Sequence, residues 1–188
     1  AEAVLVSARD DAGVLALFLL PCEETGVTRE AQVGTDSTPL ALVRAETADA
    51  IYVGDAKLAQ RHADRLALLH CARQLGIAGE ALRRTAAYTG HRVQFGRPIG
   101  SMQAVQQRAA DGFIDVEAMR STLWRALWAW DAGQVRAEDI AAACYWAAMG
   151  GHRVTHTAQH HHGGMGADVT YPIHRFFWNL VSGEGIDC

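Results

Sequence analysis

The stretch "HRVQFGRPIGSMQ", residues 91–103, interrupts two long alanine-rich segments with residues that neither a helix nor a strand asks for. Gly96 permits a backbone turn that other residues resist, and Pro98 stiffens the exit from it. Arg92 follows a helical segment, where the negative end of the helix dipole favours a cation, and its planar guanidinium can clamp a diphosphate in two directions. Phe95 offers a flat face to an adenine or a plug to a helical bundle. The residues alone therefore describe either a well-made interhelical turn or a loop that receives a phosphorylated ligand.

Outward from this loop the pattern is helical. Leu68, Cys71, Leu75, Ala78 and Leu82 recur at alternating three- and four-residue steps, which predicts a helix from about Lys57 to Tyr88. Gly76 and Gly79 beside that stripe are expected to let another helix approach closely. A second helix is expected over about Ser101–Ala132, with Ser101 as N-cap and Met102, Val105, Ala109, Val116, Leu123, Leu127 and Trp130 facing inward. A third, about Ala137–Gln159, turns Ile140, Cys144, Ala147, Gly151, Val154 and Ala158 inward. "GGMGADVTYP" (163–172) breaks it, and a short amphipathic segment, Ile173–Val181, follows. These make an antiparallel α-bundle.

The first sixty residues obey a different period. "AVLVSAR" (3–9), "VLALFLLP" (14–21), "LALVRAE" (40–46) and "AIYVG" (50–54) are short apolar or alternating runs between turn-rich segments. They predict a small, mostly antiparallel β piece. The expected class is thus α+β, predominantly α, with a partial β domain over 1–56 and a helical bundle domain over 57–188.

With 188 residues, 49% of them apolar, the chain can cover a sizeable core. It carries 17 Lys+Arg against 21 Asp+Glu, a net charge of −4, and no basic block that would track a phosphate backbone, which argues against nucleic acid as a partner. Cys22, Cys71, Cys144 and Cys188 form no C-x-x-C pair and read as independent reduced thiols, pointing to the cytoplasm. No apolar run reaches the length of a membrane span. The first residues lack a charged signal-peptide start and an initiator methionine, so a processed product or a fragment is expected.

"R-x-Q-F-G-R-P-I" (92–99) together with "HHHGGMGADVTYPIHR" (160–175) resembles the C-terminal domain of the acyl-CoA dehydrogenases. The family's first helix-to-helix turn carries R-x-x-F-G-x-P-I-x-x-x-Q, matched here by Arg92, Phe95, Gly96, Pro98, Ile99 and Gln103. Its second segment, Q-x-x-G-G-x-G followed by Y-P and a basic residue, is matched by Gly163, Gly164, Gly166, Tyr171, Pro172 and Arg175. The resemblance covers the whole bundle, and the β piece is similar to the second half of the family's central β domain. It implies FAD lying across a subunit boundary: Arg92 on the pyrophosphate, Phe95 near the adenosine, Gln103 hydrogen-bonded to the cofactor, and Gly163 and Gly164 letting the backbone come close.

The sequence also departs from the family pattern. The family's glutamine before the glycine pair falls on His160, a residue still able to donate to a phosphate or ribose oxygen. These enzymes remove a proton α to a thioester with a glutamate while hydride leaves the β carbon for flavin. Leu66 stands where one branch places that glutamate, and Glu184 in "SGEGIDC" is the candidate for the other. The expectation is that the chain has no catalytic base. The family's N-terminal helical domain and the first half of its β domain have no counterpart in these residues.

The resemblance therefore implies a non-catalytic subunit of an FAD-dependent acyl-CoA dehydrogenase, an oxidoreductase of lipid metabolism. A second dehydrogenase-like chain would hold most of the acyl-CoA. The narrower likeness is to the actinobacterial α2β2 enzymes of steroid side-chain degradation. Two alternatives stand beside this: the C-terminal part of a self-sufficient homotetrameric dehydrogenase, and a non-enzymatic helical protein binding a metal or a partner. His152, His156 and His160, four apart with His161 and His162 following, have H-x-x-x-H spacing, but no metal is expected there because no carboxylate accompanies them. Trp124, Trp128, Trp130 and Trp146 are expected in the core or at a helix interface.

Overall fold

Residues 2–9 and 12–181 are described in a computed structural model of the chain. Five strands lead the chain: β1 (Ala3–Arg9), β2 (Leu15–Pro21), β3 (Val27–Val33), β4 (Pro39–Ala45) and β5 (Ile51–Gly54). β1, β2 and β5 form one antiparallel sheet in the order β1-β2-β5, and β3 pairs with β4 in a separate hairpin. β2 buries Ala16, Leu17 and Leu20, so the apolar run read from the sequence is the central strand of its sheet. β3 was not expected. Its sequence, VTREAQV, mixes charge into both faces, and six of its seven residues are exposed, so no apolar alternation announces it.

Asp55 starts helix α1 (Ala56–His91): its carboxylate accepts the Leu58 N–H at 3.0 Å, satisfying a donor that the first turn leaves unpaired. A hairpin of β6 (Val93–Gln94) and β7 (Arg97–Pro98) follows, then a 3₁₀ turn over Ile99–Ser101 and helix α2 (Gln103–Asp131). Ser101 is not the N-cap of α2. Met102 holds that position without a side-chain cap, because the 3₁₀ turn intervenes and the Ser101 hydroxyl donates instead to the Pro98 carbonyl at 2.7 Å. Helix α3 (Ala137–His162) runs one turn further than its apolar stripe indicates, and α4 (Ile173–Val181) has the expected bounds.

The packing contacts fix the directions of the helices. Leu68 and Cys71 of α1 share a core with Leu123 and Ala126 of α2 and with Ile140, Ala143 and Cys144 of α3; further along α1, Ala78 meets Val116, Met119 and Val154. Numbering rises along α1 as it falls along α2 and rises along α3, so α2 is antiparallel to both. Ile173 packs with Ala81 and Ala158, and Leu180 with Val154, which makes α4 antiparallel to α1 and α3. Arg73 donates to the Asn179 carbonyl (3.1 Å) and Gln74 to that of Leu180 (3.2 Å), so α1 caps the end of α4.

The close approach expected at Gly76 and Gly79 is made elsewhere. A Cβ at either would meet no described atom within 4 Å, whereas one at Gly151 would lie 2.7 Å from Leu180 Cδ1 and one at Gly150 3.2 Å from Met119 Cγ. The tryptophans also divide. Trp130 and Trp146 pack against the core, while Trp124 and Trp128 are 63% and 70% exposed, because they lie on the α2 face opposite Leu123 and Ala126. Contacts group the described residues into two units that meet between Leu66 and Ala67, within α1.

Candidate functional site

Both sequence motifs belong to the end of the bundle where α1 and α3 finish. The Arg92 N–H donates to the Tyr88 carbonyl at 2.8 Å, and the Ile99 N–H donates to the Arg92 carbonyl at 2.8 Å, closing the base of the hairpin. Val93 pairs with Pro98 and Gln94 with Arg97, leaving Phe95 and Gly96 as a two-residue loop. Their φ angles are +52° and +76°, the positive pair that marks a type I′ turn. Glycine suits the second position. Phenylalanine does not suit the first: a bulky residue held in the left-handed region costs on the order of 1 kcal/mol or more. Phe95 accepts that strain while 92% exposed, with little burial to offset it.

The glycine segment is built differently. Gly163 caps α3 at φ +58° and ψ −137°, a backbone region effectively closed to side-chain-bearing residues. Gly166 is required by contact: a Cβ there would lie 2.5 Å from the Gln159 carbonyl oxygen. Gly164 is under neither constraint, since its φ lies outside the positive range and an added Cβ would meet nothing described within 4 Å. Its missing side chain is not demanded by packing among the described residues.

Arg92, Phe95, Gln103, His160, Gly163 and Gly164 are all exposed. Among the described residues Arg92 has no ion-pair partner. A side-by-side arrangement links the two motifs. The last turn of α1 supplies Thr89, whose carbonyl oxygen would be 3.0 Å from a Cβ at Gly100, so the approach to α2 and Gln103 is tied to α1. Tyr88 stacks on His162, the last residue of α3, with ring centroids 4.2 Å apart and planes 22° apart, and its hydroxyl reaches Met165 Sδ at 3.7 Å. Tyr88 is not among the candidate site residues expected from the sequence, and His162 figures there only within the histidine run; the tyrosine one turn before Arg92 and a second tyrosine after the glycines are the available signals.

His161 and His162 are buried where His160 is exposed. Burial, with the charges of His160 and Arg108 adding to it, pushes the His161 imidazole below its ordinary pKa. Burial lowers that of His162 as well, opposed by its hydrogen bond to the Ala158 carbonyl. Both rings are therefore neutral at neutral pH. Among the described residues no group of three or more His, Cys, Asp or Glu side chains is placed to hold a metal ion.

The donor types suit a dinucleotide diphosphate: a guanidinium, a carboxamide and an imidazole, all open to solvent, with the backbone at Gly163 and Gly164 exposed among the described residues. Leu66 lies on α1 and is half exposed, and Glu184 lies outside the described residues. Cys22, Cys71 and Cys144 are buried outside any disulfide. No helix among the described residues is long and apolar enough to cross a membrane.

Comparison with known proteins gives the family of the chain. Residues 56–181 match the family model of the acyl-CoA dehydrogenase C-terminal domain. Acyl-CoA dehydrogenase FadE27 of Mycobacterium tuberculosis is 42% identical over 94% of this chain and 50% of its own length. Among solved structures, the ChsE4-ChsE5 complex from Mycobacterium tuberculosis superposes with a TM-score of 0.91 at 39% identity, over 98% of this chain and 51% of the matched one. The Tcur3481-Tcur3483 steroid ACAD gives 0.92 at 38% identity, over 99% and 50%. The chain spans about half the length of the relatives it matches. Taken with the hairpin and the glycine segment, these matches make the chain a member of the acyl-CoA dehydrogenase family, whose enzymes depend on FAD.

Proposed function

We infer that this chain is one subunit of an FAD-dependent dehydrogenase that desaturates the α,β bond of an acyl-CoA thioester, and that it holds the ADP half of FAD for a second, dehydrogenase-like chain. The observation that carries this reading is that Arg92, Gln103 and His160 are exposed side-chain donors with no hydrogen-bond or ion-pair partner among the described residues, on the same connections as a strained, exposed Phe95. Arg92 would grip the pyrophosphate with both arms of its guanidinium, Gln103 and His160 would donate to cofactor oxygens, Phe95 would lie against the adenosine, and the backbone at Gly163 and Gly164 would come close because no side chain intervenes. FAD, when bound, accepts the hydride that leaves the β carbon.

The α proton needs a carboxylate held within hydrogen-bond reach of the substrate carbon. By its resemblance to the family, Leu66 falls where one branch carries its glutamate, which supports assigning the base to the partner chain. Heteromeric relatives support a mixed assembly, with α2β2 as the proposed composition, and the steroid relative supports a CoA ester of a steroid side chain as substrate. Residues 1–56 are taken as the partial β domain and 57–188 as the bundle. The assembly is placed in the cytoplasm.

The span of about half a family member favours a second reading, the C-terminal part of a self-sufficient homotetramer. Copurification separates the two. Flavin-containing, active protein obtained only when a second dehydrogenase-like chain is co-expressed supports the mixed assembly; an active assembly containing sequence from this polypeptide alone contradicts it.

A further inference from the structure

The two motifs are far apart in sequence, and each follows a different aromatic residue within one helical turn. Arg92 takes its backbone register from Tyr88, through the 2.8 Å hydrogen bond to the Tyr88 carbonyl. Gly163 follows His162 directly in the chain. The Tyr88 and His162 rings lie in stacked contact, 4.2 Å between centroids, and Tyr171 closes on His162 at 5.4 Å. His162 is 3% exposed, and its Nδ1 is 2.8 Å from the Ala158 carbonyl, which assigns the proton to Nδ1 and fixes the ring plane. Nε2 is buried with no hydrogen-bond partner among the described residues. A hydrocarbon side chain would fill this space without stranding a buried acceptor, so packing alone does not select the histidine. An oriented flat ring, locked by its own helix and laid on a second ring, is what the geometry supplies.

We propose that Tyr88 and His162 are positioning residues: their stacked rings hold the arginine hairpin and the glycine segment in register, so that both meet one dinucleotide. The proposal rests on the FAD reading given above. Neither residue touches the cofactor in this scheme. Tyr88 acts through Arg92, and His162 through the glycines that follow it. The loop strain at Phe95 makes such an anchor useful, because a hairpin with an unfavourable turn residue needs support at its base to present Arg92 in one place.

The test measures FAD affinity of the flavin-loaded assembly by equilibrium dialysis in a double-mutant cycle, with far-UV circular dichroism as the check on folding. Tyr88→Phe keeps the ring and is expected to bind FAD within twofold of the parent. Tyr88→Leu keeps bulk but loses the stack, and is expected to weaken FAD by about tenfold. On an Arg92→Ala background the same Tyr88→Leu change should cost less than about threefold, since the residue it positions is gone. If Tyr88→Leu does not assemble, His162→Leu removes the stack from the other side and is measured in the same cycle. A stack-lacking variant that assembles and keeps parental FAD affinity overturns the proposal, as does full additivity with Arg92→Ala. If Arg92→Ala itself leaves FAD affinity unchanged, the FAD reading fails instead.

Discussion

The backbone N–H of Arg92 donates to the carbonyl of Tyr88 at 2.8 Å, so the last hydrogen bond of α1 sets where the hairpin begins. Everything on that hairpin is placed by the end of one helix, and the tip carries an aromatic residue at φ +52°. Exchanging Phe95 for asparagine, which tolerates the left-handed region, should relieve strain and raise the melting temperature slightly, by the equivalent of about 0.5–1 kcal/mol. The same variant should retain less FAD. Calorimetry and flavin absorbance together check it: a lower melting temperature would remove the argument that Phe95 is kept at a cost in stability.

Gly164 gives the sharpest separation of fold from ligand. Its backbone accepts a side chain and nothing described lies within 4 Å of an added Cβ, so Gly164→Ala should leave the melting temperature within experimental error. Flavin retention should fall, because on the proposed reading a methyl group would stand where the cofactor comes close. Unchanged FAD affinity in this variant would mean that the glycine serves no ligand.

Gly151→Ala should do the reverse. The added methyl would lie 2.7 Å from a Leu180 side chain that is completely buried and cannot swing away, so α4 must shift. A loss of about 1–3 kcal/mol is expected from overpacking, read from urea denaturation midpoints. A neutral result would mean that α4 docks more loosely than its contacts imply.

The two buried histidines set an acid limit. Their folded pKa values lie below the unfolded value of about 6.5, so the unfolded chain binds more protons and stability rises with pH across that interval. Their contribution is fully present above about pH 6.5 and is lost as pH falls towards their folded values. Asp139 adds a second, lower window: hydrogen bonds from Arg136 and Arg125 hold its carboxyl at about 2, so its contribution disappears as pH falls from about 4 through 2. Urea midpoints measured from pH 7.5 to 5 should decline in the parent and decline less in His161→Leu. Equal slopes would show that burial of His161 does not govern this range.

How far the sequence could be read follows from where periodicity is strong. The stripe Ile140, Cys144, Ala147, Gly151, Val154, Ala158 is buried throughout, and α4 begins and ends where its amphipathic run does. β3 escaped because its apolar residues do not alternate with polar ones against a buried face. The N-cap of α2 was misplaced because a serine near a helix start satisfies a 3₁₀ turn as readily as a helix. Arg92, Phe95 and the glycines stood out through their spacing. Tyr88 and His162 did not, since a stacked pair separated by most of the chain leaves no local pattern, and only the docking of α1 against α3 brings the rings together. Trp124 and Trp128 were expected in the core or at a helix interface; the direction of the α2 face takes them out of the core formed by the described residues.

The claim that this chain grips FAD on behalf of a partner is tested most directly by the FAD dissociation constant of the assembled complex with arginine, lysine or alanine at position 92. A charge-assisted, two-armed contact is worth about 1.5–3 kcal/mol, so Arg92→Ala should weaken binding by about ten- to a hundredfold. Arg92→Lys should recover only part of that loss, because a point charge cannot span two phosphate oxygens. Parental FAD affinity in the assembled Arg92→Ala complex would contradict the assignment.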